Sequence, residues 1–418
     1  MKKPSPGSLK KVTAENLAAL GAGRLAEILV SVADTRADLK RRLRMELAAA
    51  QGPAALAPEI DKRLTSFETS RGKITWRQRP AFVRDLDSLR GLIAGRLAPL
   101  DVAGAIERLW RFMDTARPIG GRYRERSGEI DAVFERAARD LGRLLAAVPP
   151  GPAVADLVDH LTRNPSGWQA WLPALLAGVP AALADETLRA ISDRGDATPG
   201  WMTLIRQLAD AAGHVDAYRA TYTDAAVGTP AVAAEVARRY LAADRTAEAG
   251  EVLRGAGPSG QAVGGKPPEP DFGWETVWID YLDRAGDPEA AQAVRWASFE
   301  RTLSTERARA FISRLSDFDD VEAEARAFDI AAKHADFAAG LRFLVEWPAL
   351  SSASRMIEAR SADIHVGPDA AELWAGKLRR RYPKAAHLLL RKAAADAFRR
   401  RDFKTCDRLT AEADTIPV

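Results

Sequence analysis

Cysteine is almost absent from the chain. The single thiol, Cys406, excludes an intramolecular disulfide and any zinc or iron–sulfur centre built on several cysteines. Histidine is scarce as well. The five residues, His160, His214, His334, His365 and His387, form no pair at the helical spacings that would put two ligands on one face. No metal and no cofactor is therefore expected. Strand signals are missing, since no alternation of β-branched and polar residues lasts beyond a few positions. Nor is there an uninterrupted apolar run. The uncharged stretch Asn164–Ala184 has 21 residues, enough to span a bilayer, but Pro165, Pro173, Pro180 and two glycines break it. A packed helical hairpin is expected there, with no membrane association. Lys2 and Lys3 are not followed by an apolar segment, so the start does not read as a secretory signal, and the cytoplasm is the expected location.

What the chain has in excess is alanine, 81 of 418 residues, with abundant leucine and arginine. These are strong helix formers, and an all-α fold is the first expectation. The net charge of +4 hides a division. Residues 1–150 carry 28 Lys and Arg against 18 Asp and Glu, a net of +10, whereas residues 151–418 carry 33 against 39, a net of −6. Such an asymmetry marks the first part as a surface for an anionic partner, or for the acidic second part.

Helical periodicity runs throughout. Thr13 is placed to cap a first helix. Leu39, Leu43 and Leu47 fall on one face of a segment rich in Lys and Arg, and Leu56, Ile60, Leu64 and Phe67 on another. Further apolar faces follow at Phe82–Leu97, Ile106–Met113 and Ile130–Leu145. Pro149, Pro150 and Pro152 then suggest a domain boundary. The expected organisation is a flexible tail at 1–12, a basic helical unit at 13–148 and an array of helical hairpins at 153–418. The array resembles a tetratricopeptide-like α-solenoid and carries a Gly/Pro-rich loop at 255–273. Thr229–Pro230, Asp287–Pro288 and Gly367–Pro368 mark helix starts, with proline at the first helical position. In the clearest hairpin, Trp278, Tyr281 and Leu282 are expected to face Ala290, Ala293, Val294 and Ala297.

Several segments carry a family resemblance: Trp278–Ser304, Asp317–Phe328, Phe343–Ile357 and Arg380–Phe398, together with LAALGAGRLAEILVSVAD and LKRRLRMELAAA near the start. The chain resembles a bacterial, all-helical domain family of unknown function. Its C-terminal half is also similar to helical segments of proteins bearing a SWIM-type zinc finger. The finger's Cys and His ligands are absent here. The resemblance implies an intracellular helical-repeat protein and carries no catalytic residue with it.

Two glycine motifs have the wrong surroundings. Gly260–Lys266 fits a phosphate-loop pattern, but Pro267 and Pro268 stand where the magnesium-binding hydroxyl and helix start belong. Gly21–Ala26 lies between helical runs rather than after a strand. Asp317, Asp319, Asp320, Glu322 and Glu324 read as the acidic first turn of a helix, with Asp317 or Asp319 as its cap, rather than as a cation site. The tryptophans read as anchors between helices.

The basic residues are the best candidates for a site: Arg41, Arg42 and Arg44 on one helix, then Lys73, Trp76, Arg77 and Arg79, then Arg122, Arg124 and Arg126. Arginine pairs with phosphates bidentately, and an aromatic among such charges can stack on an unpaired base. No helix-turn-helix or RNA-recognition motif frames them. The reading adopted is a non-enzymatic scaffold for a protein partner, with nucleic-acid association through these residues as the alternative. An enzymatic role stays open, because an active site assembled from scattered carboxylates leaves no linear signature.

Overall fold

The structure is a computed structural model and describes residues 12–123, 128–192, 200–258 and 269–417, with Ala37 described by its backbone alone. The described residues are helical with no strand, an all-α fold. Two compact units divide between Thr223 and Asp224.

The first unit runs through α1 (Ala14–Ala18), α2 (Ala22–Thr35), α3 (Ala37–Gln51), α4 (Pro53–Thr69), α5 (Arg79–Leu92), α6 (Val102–Asp114) and α7 (Ala116–Gly120). It continues with α8 (Gly128–Leu145), α9 (Pro150–Arg163), α10 (Pro165–Trp168), α11 (Leu172–Leu176), α12 (Ala181–Ser192), α13 (Trp201–Ala212) and α14 (Val215–Ala220). The starts follow local chemistry. Thr13 accepts a bond from the Asn16 amide, Asp101 from Gly104 and Asn164 from Gly167, each satisfying an amide that the helix leaves without a partner. The core is the expected one along α4, where Leu56, Ile60, Leu64 and Phe67 are buried, and it continues through Leu86, Leu89, Leu109 and Phe134. Between α5 and α6 the chain widens into a π-turn at Ile93–Leu97, where the Ala98 amide bonds the Ile93 carbonyl at 3.0 Å.

Pro149–Pro152, expected as a boundary, lies inside the first unit, where Pro150 opens α9 at a position that needs no amide. Helix α8 packs beyond this point on α11, and Gly142 makes the approach close: a Cβ there would overlap the Leu175 carbonyl oxygen. The uncharged stretch Asn164–Ala184 is divided among α10, α11 and the start of α12. No helix among the described residues is long and apolar enough to cross a membrane. On α3 the sequence reading needs correction. Leu47 is 65 % exposed, and the buried face consists of Met45 and Ala48.

The second unit holds α15 (Asp224–Val227), α16 (Pro230–Ala242), α17 (Thr246–Gly255), α18 (Phe272–Arg284), α19 (Pro288–Thr302), α20 (Thr305–Ile312) and α21 (Asp319–Lys333). The series ends with α22 (Phe337–Glu346), α23 (Leu350–Ala359), α24 (Pro368–Leu378), α25 (Pro383–Arg399) and α26 (Phe403–Asp414). Proline opens α16, α19 and α24 as expected. The hairpin α18–α19 forms, with Ile279, Leu282 and Ala291 at its apolar seam and Trp278, Tyr281, Ala290 and Val294 packed around it. Ala293 and Ala297, expected in that seam, are exposed. Arg295 and Ser298 are buried in their place.

The reason is a polar network. The buried Glu275 carboxylate accepts from the Ser298 hydroxyl and from Arg301, at 2.8 and 2.9 Å. The Arg307 guanidinium donates to Ser298 Oγ at 3.2 Å, Thr276 Oγ1 at 2.6 Å and the Phe272 carbonyl at 3.2 Å. These bonds join α18, α19 and α20, and they supply the partners that buried charges need. The acidic segment enters α21 with Asp319, Asp320 and Glu322 in its first turn, where they complement the helix dipole. The residue at the cap, however, is Phe318, at φ 77° and with no side-chain bond, not an aspartate.

Candidate functional site

On α3, residues 100° apart around the axis present a two-residue basic edge: Arg41 and Arg42 line a cleft shared with α4 and α5, while Arg44 is exposed outside it. Arg63 of α4 and Arg84, Asp85, Asp87 and Ser88 of α5 complete the polar lining, and Arg36 and Asp38 stand at the start of α3. The apolar lining is Leu39, Met45, Leu89 and Leu92. The cavity measures about 450 Å³.

Its carboxylates are largely engaged. Asp85 pairs with Arg63, and Arg41 approaches it only to 3.9 Å. Asp87 accepts from Arg90 Nε at 2.6 Å and Arg136 Nε at 3.2 Å. Burial pushes the Asp87 carboxyl up, but these two guanidinium groups outweigh it and hold the group below the usual aspartate value. Arg90 continues to Asp140, whose side chain is 6 % exposed and which also takes Arg143. Arginines outnumber carboxylates in the cleft. Arg42 and Arg84 have no ion pair or hydrogen bond among the described residues. The Nε groups of Arg41 and Arg63 are buried without an acceptor.

A second cavity, about 410 Å³, shares Arg42, Asp87, Ser88 and Leu92 with the first and extends it to Glu46, Gly91, Gly95 and Arg96. Arg96 lies in the π-turn, and its Nε pairs with Glu46 at 3.2 Å. Widened turns of this kind recur at functional sites.

The ten residues singled out from the sequence do not form one surface. Arg41 and Arg42 share the cleft. Lys73 donates to the Gly121 carbonyl at 3.0 Å, and Arg122 Nε to the Gly72 carbonyl at 2.8 Å, while the Ile74 amide bonds the Arg122 carbonyl at 2.8 Å. These contacts strap the segment before α5 to the end of α7, so they hold structure. Trp76 is 72 % exposed, with the Arg77 guanidinium 5.1 Å from its ring centre. Arg79 opens α5 with a buried Nε that lacks an acceptor. Arg124 and Arg126 lie outside the described residues, as does the phosphate-loop-like Gly260–Lys266. Gly21 stands between α1 and α2, so no strand precedes that motif. Among the described residues no group of three or more His, Cys, Asp or Glu side chains is placed to hold a metal.

Arg36, Arg63 and Arg84 were missed because none of them belongs to a dense run of basic residues in the sequence. The one available signal was the spacing of Arg84, Asp87 and Ser88, which puts them on one face of α5.

The profile of a family of unknown function, DUF6880, matches residues 8–199 and 200–406. The chain belongs to this family. No curated protein matches it. DUF6880 brings no assigned chemistry, so for this member of DUF6880 the functional argument rests on the cleft.

Proposed function

We propose that the chain is a non-enzymatic helical-repeat scaffold, tetratricopeptide-like in its second part (residues 153–418), that binds a protein partner through the cleft of its basic part (residues 13–148). The observation that carries this reading is the cleft itself, with apolar lining from Leu39, Met45, Leu89 and Leu92 beside Arg42 and Arg84, which have no partner of their own. A protein segment bearing an apolar anchor flanked by carboxylates fits such a site. The anchor would be desolvated, and the charges would steer encounter and fix orientation.

Nucleic-acid association is favoured by one feature, the exposed Trp76 with Arg77 beside its ring, a platform on which a base could stack. Against it, Lys73 and Arg122 are committed to backbone carbonyls, and Arg63, Arg90, Arg108 and Arg111 to carboxylates. The charge excess of this half is therefore not a continuous track for a phosphate backbone.

Affinity capture from nuclease-treated lysate tests the proposal, with wild type compared against Arg42→Glu/Arg84→Glu. A protein retained reproducibly by wild type and lost with the variant is the expected result. Captures that are empty, or unchanged by the variant, count against the cleft. Nucleic-acid binding that falls steeply with salt and is abolished by Trp76→Ala would favour the second reading instead.

A further inference from the structure

The second unit carries a feature complementary to the cleft. Where the chain enters α21 it reads Asp317-Phe318-Asp319-Asp320-Val321-Glu322, the last four residues forming the first turn of the helix. Phe318 is 84 % exposed and Val321 64 %. A phenylalanine at φ 77° is unfavourable for an L side chain, and here that backbone presents the ring to solvent instead of folding it inward. None of the four carboxylates is in an ion pair among the described residues. Asp319 accepts from the Ser316 hydroxyl, and Asp320 from the Val321 amide at 2.7 Å. The result is an exposed acidic knob that also bears two solvent-facing apolar side chains.

We propose that this knob is the occupant of the arginine cleft on a second copy of the chain. The proposal rests on the reading of the cleft as a protein-docking site and names its partner. Two complementarities carry it. The unpaired Arg42 and Arg84 meet a segment whose carboxylates lack cationic partners. The apolar lining of a cavity of about 450 Å³ has room for the Phe318 ring, which otherwise stays in water. Knob and cleft are different surfaces, so the contact is heterologous. Each copy docked by its knob keeps a cleft for the next, and assembly continues until a ring closes or a filament grows. Exposed charges at the rim make it sensitive to ionic strength.

Sedimentation velocity over a concentration series is the first measurement. Wild type is expected to sediment faster as concentration rises at low salt, and to revert towards monomer at high salt. Two variants decide the geometry. Arg42→Glu/Arg84→Glu loses the cleft and keeps the knob, whereas Phe318→Ala/Asp319→Arg/Asp320→Arg loses the knob and keeps the cleft. All five positions are at or near the surface, and circular dichroism checks each fold. Each variant alone should remain monomeric. Mixed in equal amounts, they should form a dimer that grows no further, because one intact knob meets one intact cleft. A wild type that stays monomeric at every concentration overturns the proposal, and so does a mixture that yields no dimer. A monomeric wild type that still captures a cleft-dependent partner from lysate would remove self-docking and leave the scaffold reading standing.

Discussion

The His160 imidazole lies flat on the Trp110 indole, with ring centres 4.0 Å apart and planes inclined by 4°. Trp168 packs edge-on against Trp110 at 5.2 Å. Burial pushes the His160 pKa below its ordinary value, against the pull of nearby Asp114 towards the charged form. The sign of the pH effect follows. In the unfolded chain the ring takes up a proton at higher pH than in the folded one. Stability is complete above about pH 6.5 and declines as pH falls through the window between the two values. Melting temperatures measured from about pH 7.5 to 5.5 should fall for wild type. His160→Phe, which keeps the stack and removes the titration, should flatten that slope.

Asp87 acts in the carboxylate range with the same sign. Its folded pKa is depressed, so its contribution is complete above about pH 3.9 and is lost as pH drops through the lower, folded value. Acid unfolding followed by circular dichroism should show Asp87→Asn already weaker near neutrality, because Arg90 and Arg136 lose their charged acceptor. The further loss below about pH 4 should be smaller in the variant than in wild type.

Glu275 is the carboxylate on which the α18–α20 junction depends. Glu275→Ala leaves the buried Ser298 hydroxyl without its acceptor and the partly exposed Arg301 without its partner. A loss of about 1–3 kcal/mol is expected from the unsatisfied buried hydroxyl and the broken pair, since Arg301 recovers water. Denaturant unfolding checks it. Replacing both charges, with Glu275→Gln and Arg301→Gln together, should cost less than Glu275→Ala alone.

Gly142 offers a test in which two effects oppose one another. Alanine favours a helix over glycine by about 1 kcal/mol, which would stabilise α8. The new methyl, however, overlaps the Leu175 carbonyl oxygen, a backbone atom that cannot swing aside as a flexible side chain would. The steric term should win, with Gly142→Ala destabilising by about 1–3 kcal/mol. A variant as stable as wild type would show that α11 shifts freely on α8.

The helical class and most helix starts were legible because they depend on neighbours in sequence. Thr13, Asp287 and the prolines at 230, 288 and 368 act within one turn of themselves. Buried faces were legible where the apolar stripe is unambiguous, as along Leu56–Phe67. They were misread where two stripes compete. On α3 the Leu39–Leu47 stripe lost to Met45 and Ala48, and on α19 the alanines lost to Arg295 and Ser298, whose partners come from α18 and α20. The cleft escaped for the same reason. Arg63 and Arg84 stand 21 positions apart and meet Arg42 only through packing, whereas the dense clusters at 71–79 and 122–126 attract attention by adjacency alone.

The π-turn at Ile93–Leu97 makes chain length part of the site. A five-residue turn holds more chain per revolution than an α-helical turn, so a version one residue shorter could close as ordinary α-helix. Because the extra residue is absorbed within the widened turn, the chain after the deletion would keep its place around the axis. Arg96 would stay beside Glu46 and Leu97 in the core, and only the widening between them and Ile93 would be lost. Related chains that differ by a single residue there would keep the same side chains around the cleft and differ only in the width of the turn at its far end.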